Sequence, residues 1–218
     1  MLSPLQQRVA AVVARLPEAD GFALAGGGAL IARGDIDRAT RDLDYFATDP
    51  GRVLELLPAL NDALTAAGLE VTVERAADGF ARLVVTDRDA STEIDLASDY
   101  RLMPAELTEF GPTLAVEELA IDKVLAIFDR AEPRDFADLA AVVDRWGLDH
   151  LLRRAKEKDL GFTVAEFARR LDRAATFTDD EFRVPAEQAQ QVRAAVDRWK
   201  LQVRLTQERP PPGRDRGR

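Results

Sequence analysis

The sequence predicts an α+β fold, with a mixed sheet and flanking helices in the first half and a helical C-terminal region after it. Three observations carry this reading. Between residues 69 and 97 apolar and polar residues alternate in short runs, the period of half-buried strands. From Val116 onward apolar residues recur at helical spacing instead. The charge divides at nearly the same place. Residues 1–112 hold 10 Arg and no Lys against 19 Asp and Glu, whereas residues 113–218 hold 20 basic and 20 acidic residues.

Taken in order, Leu5, Val9, Val12, Val13 and Leu16 place a helix over 4–16, which Pro17 ends. Residues 22–25 form a short apolar strand, and 26–34 a turn with a short helix. Residues 42–47 form a second strand. Pro50 is placed to start a helix that 53–67 continue, with Gly68 as the stop. In the strand over 69–75, Leu69, Val71 and Val73 share one face and Glu70, Thr72 and Glu74 the other. Strands over 80–85 and 92–97 follow, joined as a hairpin by Asp87-Arg88-Asp89-Ala90. Helices are expected over 116–131, 134–146, 149–158, 164–175 and 185–207, with Pro133 and Gly147 in two of the gaps. The organisation is therefore a core over 1–112, a helical region over 113–208 and a Pro/Arg-rich tail over 209–218 that is expected to be disordered.

Composition narrows the function. The apolar fraction of 46% in 218 residues is enough for a sizeable core. The chain has no cysteine, which removes disulfides and thiol chemistry and fits a cytoplasmic protein. No run resembles a signal peptide or approaches the length of a membrane span. The single histidine, His150, cannot make a metal cluster, and Trp146 and Trp199 read as packing residues. An acidic first half is a poor surface for a polyanion, so any polyanion is expected on the arginine-rich second half, around Arg153 and Arg154.

The residues with chemistry begin at Gly26-Gly27-Gly28, a tight turn into a short helix whose free N–H groups suit an anion. No Gly-Lys-Ser/Thr follows, so this is not a Walker loop. Asp42 and Asp44 alternate with Leu43 and Tyr45 and so share one strand face. Two carboxylates this close repel unless a cation sits between them, and magnesium takes such oxygen ligands together with phosphates. Asp95 alternates with Ile94 and Leu96 and can join them if the strands are neighbours; Glu93 competes for that place, and Asp99 more weakly. A third carboxylate would allow two divalent ions about 4 Å apart to support phosphoryl displacement. Lys123, one of only four lysines, lies in an apolar helix. It can offer a compact charge to phosphates or simply pair with Asp122 or Asp129. Asp135 and Asp138 fall on one face of the next helix, where capping is the plain reading.

Gly-Gly before Ala29-Leu30, then Arg38-x-Thr40-x-Asp42-Leu43-Asp44-Tyr45-Phe46, Glu93-Ile94-Asp95, Glu118-Leu119 with Lys123, and Arg134-Asp135-x-x-Asp138-Leu139 stand in order over roughly 20–145. This set resembles the AbiEii/AbiGii-type nucleotidyltransferase toxin family, within the polymerase-beta-like nucleotidyltransferase superfamily. The resemblance implies a minimal nucleotidyltransferase fold. It implies Asp42, Asp44 and Asp95 as ligands of Mg2+, two ions in all, and Gly27 and Gly28 beside the triphosphate. It also implies that Lys123 and Asp135 serve activity, and that Arg38 and Thr40 support the nucleotide site. Family members carry Ser or Thr after Gly-Gly, where this chain has Gly28 or Ala29. The expected activity is transfer of a nucleoside monophosphate from an NTP to an acceptor hydroxyl with release of pyrophosphate. The expected setting is the toxin of a toxin–antitoxin pair acting on tRNA, with a cognate antitoxin as partner. Alternatives are a protein hydroxyl or a small molecule such as an aminoglycoside as acceptor, or a non-catalytic nucleotide-binding module.

Overall fold

In a computed structural model the described residues are 1–208. The expected tail over 209–218 lies outside them. The chain divides into two compact units, Met1–Asp122 and the chain from Lys123 onward.

The first unit opens with α1 (Pro4–Val13), whose start is fixed by Pro4 in the first turn and by a reciprocal capping box between Ser3 and Gln6. β1 (Ala23–Ala25) runs directly into α2 (Gly26–Ala32). β2 (Asp42–Ala47) and α3 (Gly51–Ala66) follow. Pro50 caps α3 as the sequence predicts, but Pro58 lies inside it. Its ring removes the bond to the Leu54 carbonyl, a loss of small consequence because both residues face solvent.

β3 (Glu70–Ala77), β4 (Phe80–Asp87) and β5 (Ala90–Ser98) then form an antiparallel run, one, two and three residues longer, respectively, than the alternation alone marks. Two further strands, β6 (Glu106–Thr108) and β7 (Gly111–Thr113), have no counterpart in the sequence reading. They are three residues long and include Pro112, so no alternation can declare them.

The sheet has the order β3-β4-β5-β2-β1-β7-β6. It is mixed: β2 runs parallel to β5, and β1 parallel to β7, while the other neighbours are antiparallel. Period-two alternation sorts its residues. Leu43, Tyr45 and Ala47 of β2, Ile94 and Leu96 of β5, and Ala81, Leu83 and Val85 of β4 are all buried. α1 and α3 cover that side with Leu5, Val9 and Val13, and with Val53, Leu56, Leu60 and Leu64. Each fully buried leucine contributes roughly 1.5–3 kcal/mol. The opposite face carries Asp42, Asp44, Glu93, Asp95 and Arg82. The apolar face thus pins the strand register, and the register fixes the charged residues relative to one another.

α4 (Val116–Asp129) contains the division between the units. The second unit continues with α5 (Pro133–Val142), α6 (Leu148–Lys158), α7 (Val164–Arg170) and α8 (Ala186–Glu208). The helices predicted over 134–146 and 164–175 each tighten into a 3-10 turn for their last part. The core of this unit is aromatic. Phe162 meets Phe128 at 5.1 Å and Phe167 at 6.2 Å between ring centroids, and Phe136, Phe182 and Trp199 are buried.

Candidate active site

The glycine triplet and β2 meet at the end of β1. Ala25 pairs with Asp44 across the antiparallel β1–β2 ladder, so Gly26 lies against the Asp44 side chain. Gly26 has φ +59°, a left-handed conformation, and a Cβ added there would collide with the Asp44 carboxylate. A Cβ at Gly27 would come within 2.6 Å of Nη2 of Arg38. One at Gly28 would lie 3.2 Å from Cδ2 of Leu43. Each missing side chain therefore makes room for a different residue of the 38–44 segment. Gly26, outside the predicted site set, has the tightest fit of the three.

The residues before the aspartates are held in place. Arg38 is buried, and its Nη1 donates to the Ala39 carbonyl at 3.0 Å. The Thr40 hydroxyl donates to Oδ1 of Asp42 at 2.5 Å. The Thr40 carbonyl accepts from Nε2 of Gln6, at 3.1 Å, which also reaches the hydroxyl of Thr92. Behind the site Tyr45 is buried in the opposite face. Among the described residues its hydroxyl has no hydrogen-bond partner, and burial raises its pKa.

β5 brings the third carboxylate. Parallel pairing sets Asp42 opposite Glu93 and Asp44 opposite Asp95, so four carboxylates form a two-by-two array on one face. Arg82, on β4, pairs with Asp95 from the other side. Its Nε donates to Oδ1 of Asp95 at 2.7 Å and its Nη2 to Oδ2 at 2.5 Å, a two-pronged bond. Its Nη1 lies 3.5 Å from Glu93. The hydrogen bond to Asp95 is the main cause of the raised Arg82 pKa, with the charges of Asp95, Glu93 and Glu74 adding to it against a desolvation cost.

Asp42 and Asp44 offer the hard oxygens a divalent ion takes, on one face, beside a cradle at Gly26 that any side chain would fill. That donor set fits Mg2+. Both oxygens of Asp95 bond to Arg82. Among the described residues no three His, Cys, Asp or Glu side chains gather in a metal-holding group.

Lys123 and Asp135 belong to the second unit, in a buried ion cluster. Nζ of Lys123 lies 2.9 Å from Oδ2 of Asp138 and 3.6 Å from Oδ1 of Asp135. Asp135 also accepts two bonds from Arg130, at 3.0 and 2.9 Å, and one from the Glu132 amide. The lysine side chain is 6% exposed and both aspartates are fully buried. The partners of Lys123 thus include Asp135, in the first turn of α5, and Asp138, one turn further on. Asp135 caps its helix as well as binding cations.

A family model described as the nucleotidyl transferase AbiEii toxin of a type IV toxin–antitoxin system matches residues 9–212. Among solved structures, one from Helicobacter pylori assigned as a nucleotidyltransferase aligns with TM-score 0.59 at 17% identity, covering 95% of this chain and all of its own. JHP933 from Helicobacter pylori aligns with TM-score 0.53 at 18% identity, covering 95% of this chain and 97% of its own. At these identities the two likenesses establish the fold. No curated protein sequence matches. Among the described residues no helix is long and apolar enough to cross a membrane.

Proposed function

The chain belongs to the AbiEii nucleotidyl transferase toxin family, and from that premise we propose that its carboxylate face performs Mg2+-dependent transfer of a nucleoside monophosphate from an NTP to a tRNA hydroxyl. The observation that carries the reading is the register of Asp42, Asp44 and Asp95 on one sheet face, with Gly26 left bare against Asp44.

Asp42 and Asp44 would hold the divalent ion, with Asp95 as a further ligand. Bound there, the ion neutralises phosphate charge and lowers the pKa of the acceptor hydroxyl. The chain's own residues do the rest. Thr40 orients Asp42 through the 2.5 Å hydrogen bond. Gly27 and Gly28 line the triphosphate with bare backbone, replacing the hydroxyl that family members place after Gly-Gly, and Arg38 adds positive charge over Gly27. The acceptor oxygen attacks the α-phosphorus, its proton passes to a carboxylate of the array, and the bond to the β-phosphate oxygen breaks to release pyrophosphate. Holding these groups in line supplies most of the acceleration. Lys123 and Asp135 match residues tied to activity in the family, and here Nζ of Lys123 is held 2.9 Å from Asp138 and 3.6 Å from Asp135.

The family's toxin–antitoxin setting supports a cognate antitoxin as partner; the RNA acceptor and the cytoplasmic site of action are part of the proposal. The experiment incubates the full chain with labelled triphosphates and, separately, total RNA, cell protein and aminoglycosides. Label on tRNA that Asp42→Ala and Asp44→Ala both abolish is the expected result. Label on protein or drug instead replaces the acceptor, and transfer untouched by both substitutions removes the assigned site.

A further inference from the structure

Resting on the transfer reading, and going beyond it, we propose that Arg82 is a positioning residue that occupies Asp95 as a built-in counter-cation and must be displaced before a metal ion can use that carboxylate. The geometry carries the argument. The guanidinium fork engages both Asp95 oxygens, at 2.7 and 2.5 Å. A divalent ion bound to the same carboxylate would lie within a few ångströms of a fixed positive charge, and the two would repel.

Arg82 also has a way out. Its side chain is 39% exposed, whereas that of Asp95 is 13% exposed. Glu93 is a second acceptor, with its Oε2 at 3.5 Å from Nη1. The arginine can therefore swing toward solvent and Glu93 while Asp95 stays in the sheet. Both residues sit on rigid strands in fixed register, Arg82 opposite Asp95 and Asp95 opposite Asp44. The third carboxylate joins the metal site only when Arg82 yields. Before that, the array is kept partly neutral, which limits repulsion among its four carboxylates. The latch opens from its half-exposed arginine end, toward a strongly charged incoming group.

The test is Mn2+ binding to the full chain without nucleotide, read from the electron paramagnetic resonance signal of free ion. Arg82→Gln is expected to bind Mn2+ at least about tenfold more tightly than the unsubstituted chain. Adding Asp95→Asn to Arg82→Gln is expected to return the affinity to the starting value. Arg82→Lys keeps the charge and loses the fork, so a smaller gain is expected; it carries the test if Arg82→Gln fails to fold. Affinity unchanged or weakened in both variants overturns the proposal, as does a gain that survives Asp95→Asn. The transfer reading is judged separately, by Asp42→Asn with Asp44→Asn. If that pair leaves Mn2+ binding unaltered, the metal site itself is lost, whatever Arg82 does.

Discussion

Alanine at Gly26 isolates the contact on which the site depends. The substitution adds one carbon and no charge. It forces a non-glycine residue into φ +59°, which costs roughly 1–2 kcal/mol. The new Cβ also collides with the Asp44 carboxylate, so that side chain must leave its position, at a cost of about 0.5–1.5 kcal/mol if it is pushed off its rotamer. The expected destabilisation is about 1.5–3.5 kcal/mol, a fall in Tm of roughly 3–14 °C at about 2–4 °C per kcal/mol. Activity should fall further than stability, because a displacement of about 1 Å in a reacting constellation costs about 100-fold. Gly27→Ala meets the far end of Arg38, and Gly28→Ala is tight only against a Leu43 methyl at 3.2 Å, with the Asp42 carbonyl in ordinary contact at 3.5 Å. Both also gain about 1 kcal/mol of helix propensity inside α2. The order of lost activity should therefore be Gly26, then Gly27, then Gly28. Pyrophosphate release measured at saturating NTP, beside thermal melts of the same samples, gives both quantities. Wild-type turnover by a folded Gly26→Ala chain would refute the reasoning.

The remaining predictions concern the second unit. Lys123→Met should destabilise the protein by about 3–5 kcal/mol, because it leaves the fully buried Asp135 and Asp138 short of a cation; an unchanged urea midpoint would rule this out. Adding Asp138→Asn should recover part of the loss, as removing both members of a buried pair costs less than removing one. Arg153→Glu with Arg154→Glu on α6 should weaken RNA labelling and flatten its dependence on salt, since Arg153 is exposed there. Labelling with an unaltered salt slope would move the polyanion surface elsewhere.

Much of this site can be read locally. Alternation alone puts Asp42 and Asp44 on one face, because Leu43 and Tyr45 must go inward, and the structure buries both. What escapes is pairing between distant residues. Arg82 gives no local sign of its role, yet the hairpin turn holds the clue. With Asp87 paired to Ala90 around Arg88-Asp89, counting back along both strands sets Arg82 opposite Asp95. The hairpin is visible in the sequence, so its register could have exposed the ion pair. Lys123 fails differently. Its nearest acids in sequence are Asp122 and Asp129, yet Asp135 and Asp138 of the following helix also pair with it, and only packing decides that. The glycines read as a phosphate turn, and the structure adds a second reason for them: they clear space for Asp44, Arg38 and Leu43. β6 and β7 are too short for any period to mark.

The most direct measurement compares triphosphate labelled at the α-phosphorus with triphosphate labelled at the γ-phosphorus, using the full chain and the isosteric pair Asp42→Asn with Asp44→Asn. Nucleotidyl transfer at the Asp42–Asp44 face predicts that the α-label moves to the acceptor, the γ-label leaves in pyrophosphate, and the paired variant folds but transfers neither. Transfer of the γ-label to the acceptor, or α-label transfer undiminished in the paired variant, would contradict it.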